Sequence, residues 1–198
     1  MIETLHGLPQ DVVFCKKCVM SNQRPASTPE FGKRQTKDTN SAPFGDDGIC
    51  DACRFFEYKQ TINWDERRLE LQELCDRYRS KDGSWDVIVP GSGGKDSIFV
   101  AHILKNEFGM NPLTVTWAPH AFTDVGWHNL QAWQRMGFDN MLVTPDPKLH
   151  AFITRHAFLR LLNPFQPFII GQKTIAVKFA LKLNIPFNLG GNGTPGVG

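Results

Sequence analysis

A glycine-rich loop between a strand-like and a helix-like segment constrains the fold of this chain more than any other feature. Residues 85–90 are short and apolar, as in a buried strand, and residues 97–108 are typical of a helix that ends at Gly109. The connecting run is Gly91-Ser92-Gly93-Gly94-Lys95-Asp96-Ser97. Glycines allow positive φ and close approach of the backbone to a ligand, and N–H groups at a helix N-terminus attract phosphate oxygens. This order of elements predicts a phosphate-binding loop, with a tight turn that binds nothing as the alternative.

Two familiar phosphate loops do not fit this run. A P-loop of the Walker type would need glycine at position 89 and a hydroxyl residue at position 96, where this chain has Val89 and Asp96. A dinucleotide fingerprint that began at Gly91 would need a further glycine at position 96. The loop therefore belongs to another class of phosphate site.

Strands and helices alternate from residue 85 onward. Further strand-like segments cover residues 113–117, 141–144 and 185–189, and further helix-like segments cover residues 125–136, 149–162 and 174–183. Such alternation predicts an α/β domain whose parallel sheet has helices on both faces. Ligands of these sheets bind at the carboxyl ends of the strands. His120 and Asp124 follow the strand at 113–117, so they are candidates for substrate contacts, with plain loop residues as the alternative.

Two C-x-x-C pairs lie in a part of the chain that is rich in turn formers and poor in periodicity. Residues 24–43 contain too few large apolar residues to build a core. The four paired cysteines are Cys15, Cys18, Cys50 and Cys53. Two such pairs form a tetrahedral site, and four thiolates leave no position open for chemistry, so we predict one structural Zn²⁺. Four independently buried cysteines are the alternative. Cys75 lies on the apolar face of a helix predicted over residues 63–79 and is expected in the core.

The chain of 198 residues has room for a core domain with a small appendage. We predict a zinc module over residues 1–60, a connecting helix over 61–84 and an α/β domain over 85–198. A net charge of +2 without a dense basic stripe disfavours nucleic acid as a partner. The sequence has no apolar run of membrane-span length and no signal-peptide pattern. We therefore expect a cytoplasmic protein without a membrane partner, which agrees with cysteines that serve as metal ligands.

The run Ser92-Gly93-Gly94-Lys95-Asp96-Ser97 resembles the signature of the PP-loop ATP pyrophosphatases. In that superfamily the loop holds the β,γ-pyrophosphate of ATP, and the α-phosphate is transferred as AMP. A narrower resemblance extends over nearly the whole chain, to the N-acetyl sugar amidotransferases of this superfamily. Those enzymes serve the biosynthesis of bacterial surface sugars such as lipopolysaccharide O-antigen and flagellar glycans. The segments that carry it are residues 15–20, Arg24-Pro25, and residues 47–53, 89–97, 112–120, 137–140 and 164–173.

The resemblance implies an amidotransfer that uses ATP and Mg²⁺. ATP would adenylylate the acetamido oxygen of a nucleotide-linked N-acetyl sugar, and ammonia would displace AMP to give an acetamidino group. The implied ATP-binding residues are Gly91, Ser92, Gly93, Gly94, Lys95, Asp96, Ser97 and Trp117. The implied catalytic residues are Lys95, Asp96 and Lys173, and His120 and Asp124 would contact the substrate. Asp96 would orient Mg²⁺ or cap the helix that follows.

Ammonia is expected from a separate protein. The four paired cysteines are assigned to the metal, and Met1 is followed by Ile2, so the chain offers no nucleophile suited to glutamine hydrolysis. In the family that the chain resembles, a glutaminase and a cyclase-like subunit similar to those of histidine biosynthesis supply the ammonia.

The C-terminal segment departs from the family pattern. Family members tend to read Gly-Glu-Asn after the last strand and continue considerably further, whereas this chain reads Gly190-Gly191-Asn192-Gly193 and ends at Gly198. We therefore expect an α/β domain that is incomplete at its C-terminus, binds ATP weakly and transfers no nitrogen. A truncated, non-catalytic nucleotide-binding remnant is one alternative. A tRNA-thiolating PP-loop enzyme is another, although such enzymes usually need cysteines in the catalytic domain and none follows Cys75.

Overall fold

The computed structural model describes residues 8–23 and 44–190. The chain divides into two compact units, Met1–Glu66 and Arg67–Gly198, called here the first and the second unit. The Arg24-Pro25 pair and residues 191–198, on which parts of the family resemblance and its C-terminal departure depend, lie outside the described residues.

In the first unit, two short turns precede a helix. Isolated antiparallel bridges pair Phe14 with Ser21 and Phe44 with Cys50, so each C-x-x-C pair has a bridge beside it. Helix α1, Asp51–Thr61, follows Cys50 directly and buries none of its residues. Helix α1 was not predicted from the sequence, where its residues were assigned to the zinc module.

Helix α2, Trp64–Tyr78, begins where the sequence predicts, within one residue. The side chain of Asn63 accepts a hydrogen bond from the Glu66 N–H at 3.3 Å and so caps its first turn. Cys75 is fully buried in the core of the second unit, as predicted, and burial raises the pKa of its thiol.

The second unit is built on a parallel sheet of four strands. They are β1, Val87–Pro90, β2, Pro112–Trp117, β3, Asp139–Val143, and β4, Phe187–Asn188. The strand order is β3-β2-β1-β4, and every pairing is parallel. The α/β class and the parallel sheet predicted from the alternating pattern are confirmed.

Four more helices connect or follow the strands. They are α3, Lys95–Asn106, α4, Asp124–Arg135, α5, Pro147–Leu161, and α6, Gln166–Leu183. Helix α6 begins eight residues earlier than the predicted segment at 174–183, because Pro167 lies in its first turn, where a missing N–H costs nothing. Within the described ranges, no helix combines the length and the apolar character needed to cross a membrane.

Alternate residues of β1 face opposite layers of helices. Val87 and Val89 belong to a core cluster with residues of α3 and α4, among them Ala101, Leu104, Leu130 and Trp133. Ile88 belongs to a second cluster with Ile175 and Ala176 of α6. Helices therefore cover both faces of the sheet, which leaves the carboxyl ends of its strands as the open edge.

Candidate phosphate-binding cleft and candidate metal centre

A cleft of about 500 Å³ lies at the carboxyl ends of β1, β2 and β4. In the strand order, β2 lies on one side of β1 and β4 on the other, so the connections change direction beside β1. Crevices at such a point bind ligands in open α/β sheets. Seven of the residues predicted from the sequence line this cleft: Gly91, Ser92, Gly94, Asp96, Ser97, Trp117 and Lys173.

Four predicted residues are not part of the cleft lining. Gly93 is buried beneath α4, and the exposed Lys95 is the first residue of α3. Asp124 is exposed at the first turn of α4, and His120 contacts α5. The roles assigned to these side chains stay predictions. The sequence missed Gln172 and Asn188, which do line the cleft; Asn188 follows from the same rule about strand ends, because it closes β4.

Gly93 and Gly94 of the loop differ in backbone conformation and in the space around them. Gly93 has φ +82°, and a Cβ there would lie 2.6 Å from the carbonyl oxygen of Asn129 on α4. Gly94 has φ −74°, which any residue adopts, and the nearest atom to a Cβ there is the Ser92 Oγ at 3.9 Å. Gly93 is thus required by the packing of the loop on α4, whereas Gly94 leaves open space at the cleft.

The N-terminus of α3 borders the cleft without a side-chain cap. Gly94 is the N-cap residue, and no described side chain accepts from the first turn of the helix there. The N–H groups of Lys95, Asp96 and Ser97 lack intrahelical acceptors by the geometry of a helix. Asp96 therefore does not cap α3, contrary to one of the alternatives weighed above. An uncapped helix end carries partial positive charge and free donors, which suit an anion.

Two donors of the loop are already engaged. The Gly91 N–H donates to the Val115 carbonyl of β2 at 3.0 Å and continues the sheet ladder. The hydroxyl of Ser97 donates to the Gly94 carbonyl at 3.0 Å. The donors that remain for an anion are therefore the backbone N–H groups that follow Gly91.

Trp117 forms one wall of the cleft at the end of β2. A Cβ at Gly171 of α6 would lie 2.3 Å from its Cε2 and 2.5 Å from its Nε1, so the indole occupies the space that a side chain would need. The indole N–H is buried and has no hydrogen-bond partner among the described residues. Packing alone holds this wall.

Gly171→Ala is expected to destabilise the protein by about 1–2 kcal/mol. Alanine favours a helix by about 1 kcal/mol over glycine, but overpacking against the indole costs about 1–3 kcal/mol. In a Trp117→Leu background the clash is relieved, and the same substitution should become neutral or stabilising. Urea unfolding of the four proteins measures this. An equal loss of stability in both backgrounds would contradict the proposed contact.

A pair of histidines lies beside this wall. The Nδ1 atoms of His120 and His150 are 3.0 Å apart, and the ring centroids are 4.2 Å apart. The edge of His150 meets Trp117 at a centroid distance of 6.2 Å. Burial, and then the neighbouring His120, lower the pKa of His150. The sequence placed His120 near the substrate, whereas in the structure it contacts a histidine that the sequence did not single out.

The four paired cysteines converge in the first unit. Their sulfur atoms all lie within 4.8 Å of one another, with 3.9 Å between Cys15 and Cys53 and 3.6 Å between Cys18 and Cys50. A tetrahedron of sulfurs with Zn–S bonds of about 2.3 Å has edges of about 3.8 Å. A disulfide would need about 2.0 Å. The residues therefore fit a structural metal ion.

Backbone N–H groups point at two of these sulfurs. Cys15 Sγ accepts from the Cys50 N–H and the Lys17 N–H, each at 3.4 Å, and Cys18 Sγ accepts from Met20 N–H at 3.4 Å. The donors at Cys15, led by the Cys50 N–H, lower its pKa to about 6. A hydrogen bond with Cys18, and then burial, raise the pKa of Cys53 to about 12. Four thiolates in one place need a cation to offset their mutual repulsion.

Among the described residues, the contacts that join the two cysteine turns outside the sulfur cluster lie at the surface. The Lys16 N–H donates to the Gly48 carbonyl at 3.1 Å, and Lys16 Nζ donates to the Asp47 carbonyl at 2.7 Å. Lys17 forms an ion pair with Glu57, with both side chains about half exposed. Exposed ion pairs contribute little, so a bound metal would be the main cross-link of this unit.

Comparison with known proteins gives a limited result. No protein-family profile matches the chain. A protein of Methanocaldococcus jannaschii, described as uncharacterized protein MJ1599, is 34% identical over 57 residues, which are 29% of this chain and 21% of that protein. The chain thus spans about a fifth of the length of this curated relative.

Proposed function

We propose that the second unit binds ATP and activates a substrate oxygen by adenylylation. One observation carries the proposal: the loop that resembles a PP-loop borders a cleft at the carboxyl edge of a parallel sheet, and Lys173 lines the same cleft. The uncapped N-terminus of α3 supplies donors and partial positive charge for phosphate oxygens. Lys173 brings a full positive charge from α6 to the same cleft. Together they are suited to stabilise pyrophosphate as it leaves.

The apolar part of the cleft suits a nucleoside. Trp117, Ile175 and Ala176 line it, and its volume of about 500 Å³ is in the range of small-molecule sites. Asp96 places an exposed carboxylate among the phosphate-facing groups. Mg²⁺ is usually held by one or two carboxylates together with substrate phosphates, so Asp96 fits that role. Bound there, Mg²⁺ would supply charge neutralisation for the pyrophosphate.

The substrate and the second step come from the family that the sequence resembles. The acetamido oxygen of a nucleotide-linked N-acetyl sugar attacks the α-phosphorus, the bond from that phosphorus to the bridging oxygen breaks, and pyrophosphate leaves. Ammonia then adds to the activated carbon. AMP departs with the former acetamide oxygen, and loss of a proton leaves an acetamidino group. A separate glutaminase with its cyclase-like subunit would supply the ammonia, and the product would enter lipopolysaccharide or a flagellar glycan.

The tRNA-thiolating alternative requires a reactive cysteine near the nucleotide. Cys75 is the one cysteine of the sequence in the second unit, and it is fully buried with a raised pKa. A thiol that is neither exposed nor ionised is a poor nucleophile. This observation favours adenylylation of a sugar amide over thiolation.

Isotope transfer tests the proposed function. Protein incubated with ATP, Mg²⁺, ammonia and a panel of nucleotide-linked N-acetyl sugars carrying ¹⁸O in the acetamido group is expected to release ¹⁸O-labelled AMP. ATP–pyrophosphate exchange that depends on the sugar would report the first step alone. Formation of ADP, or unlabelled AMP only, would contradict adenylylation of the amide oxygen. Exchange without labelled AMP would support the first step and contradict the second.

Lys173→Ala is expected to weaken ATP binding about tenfold to a hundredfold, because a charge-assisted hydrogen bond contributes about 1.5–3 kcal/mol. Lys178→Ala is the matched control, since Lys178 is also an exposed lysine of α6 but is not part of the cleft lining. Calorimetric titration with ATP compares the two variants. Equal effects of both substitutions would place the phosphates elsewhere.

A further inference from the structure

The contact between His120 and His150 has room for one proton between the two facing nitrogens. The Nδ1 atoms are 3.0 Å apart, and the Nε2 of His150 is buried with no partner among the described residues. When the His150 Nδ1–H donates to His120, the buried Nε2 of His150 carries no proton. The Nε2 of His120 then carries one, and this atom lies 3.5 Å from the Thr154 Oγ1. This neutral arrangement buries no unpaired N–H.

A second proton disrupts the contact wherever it binds. On the Nδ1 of His120 it would leave two N–H groups facing each other. On the buried Nε2 of His150 it would place a charged, unpaired N–H in a site that is 7% exposed. His120 is exposed and can turn toward water, whereas His150 cannot. Proton uptake therefore favours separation of the two rings.

Few other charges act on this pair. Trp117 of β2 meets His150 at its edge, Phe168 of α6 lies 6.5 Å from the His120 ring centroid, and Thr154 belongs to α5 itself. The charged residues closest to the pair in sequence are exposed; they are Asp146 at the start of α5, Lys148 and Arg155 on α5, and Asp124 at the start of α4. The exposed Lys173 is the first charged residue of α6 after Phe168. Besides burial, His120 is the influence on the pKa of His150.

The pair also connects to the cleft. His120 follows Trp117 by three residues, and His150 of α5 packs its edge against the same indole. The indole N–H has no hydrogen-bond partner in the described structure, so these contacts and Gly171 fix the position of the ring. When His120 turns away, His150 loses the hydrogen bond that fixes its ring, and His150 is the residue that packs against the indole.

We propose that His120 and His150 are positioning residues that hold Trp117 at the wall of the cleft, and that proton uptake by the pair releases it and weakens nucleotide binding. The nucleotide part of this statement rests on the proposed function. The folded pKa of His150 lies below the ordinary histidine value of about 6.5. The stabilisation that the neutral pair provides is therefore fully present above a pH of about 6.5, and it is lost as the pH falls through the folded pKa.

The first test needs no nucleotide. The indole ¹⁵N–H signal of Trp117, assigned with Trp117→Phe, is followed by NMR from pH 7.5 to 5.0. In the parent we expect the signal to shift with a midpoint below about 6.5. In His150→Asn the amide can donate to neutral His120 through its NH₂ group or accept from protonated His120 through its oxygen, so the contact survives either state and the shift should be much smaller. A signal that does not respond to pH in the parent, or responds equally in His150→Asn, overturns the proposal.

The second test measures the affinity for a non-hydrolysable ATP analogue over the same pH range. The parent and the control His156→Asn, an exposed histidine of α5, should lose about tenfold more affinity toward pH 5 than His150→Asn, which corresponds to about 1.4 kcal/mol. Titration of the analogue itself is common to all three and cancels. Equal losses in all three overturn the link between pair and cleft. Absence of binding at every pH contradicts the proposed function instead, while the indole titration still decides the role of the histidine pair.

Discussion

Gly94→Val is expected to abolish ATP binding while the second unit stays folded. The backbone of Gly94 has φ −74°, which valine adopts, and a Cβ there meets no atom closer than 3.9 Å. The added methyl groups would occupy the space beside the first N–H groups of α3, where the phosphates are proposed to lie. Calorimetry with ATP, together with thermal unfolding, measures both effects. Undiminished ATP binding by a folded Gly94→Val protein would show that the phosphates bind elsewhere.

Gly93→Val is the contrasting variant. It would force a β-branched residue to φ +82° and place its Cβ 2.6 Å from the Asn129 carbonyl oxygen. We expect a loss of about 3 kcal/mol or more in the free energy of unfolding, because backbone strain and overpacking act together. Loss of binding in this variant would follow from the damaged fold. Of the two variants, Gly94→Val is the one that distinguishes loss of ATP binding from loss of the fold.

Purified protein is expected to carry one zinc ion per chain, and Cys50→Ser is expected to lose both the metal and the fold of the first unit. Among the described residues of that unit, only Cys15 and Cys50 are buried, so the metal ligands are themselves its core. Structural zinc contributes roughly 10–16 kcal/mol of apparent binding free energy, which such a unit cannot replace from apolar contacts. Elemental analysis and NMR of the parent and the variant test this.

Cys75→Ala is the control for the zinc experiment. Cys75 is a buried cysteine of the second unit and is not one of the four converging residues, so this variant should retain one zinc per chain. The second unit should remain folded after metal removal, since it has its own core clusters. Protein prepared without chelators that contains no metal would refute the zinc centre. A visible iron–sulfur chromophore would favour the thiolation alternative.

The two central strands of the sheet, β1 and β2, were predictable because they are largely apolar and buried. Buried parallel strands leave continuous apolar runs in the sequence. The predicted edge strands also overlap observed ones, although β3 is only partly buried and β4 has two residues. The start of α6 was not predictable in the same way, because Pro167 and Gly171 both signal a helix end. Pro167 is tolerated in the first turn, and the Trp117 indole requires Gly171, but that contact joins residues far apart in sequence.

The site was predictable to the extent that it is local in sequence. Most of the predicted residues that line the cleft are contiguous in the glycine loop, so a sequence motif could find them. Trp117 and Lys173, predicted from other segments, line the same cleft. The partner of His120 could not be found from sequence, because His150 lies 30 residues away on a helix whose placement depends on packing. The role of Gly93 was incomplete for the same reason, since its closest neighbour is Asn129.

The hydrogen bond from the Gly91 N–H to the Val115 carbonyl fixes the position of the glycine loop relative to strand β2. It ties the start of the glycine loop to the strand that ends in Trp117, and the neighbouring residues Pro90 and Val115 are paired in the sheet. The anion-binding end and the aromatic wall are therefore held at a fixed spacing. A ligand whose planar and anionic ends are separated by one phosphate too few would reach only one of them. Under the proposed function, the cleft would therefore select ligands by length as well as by charge.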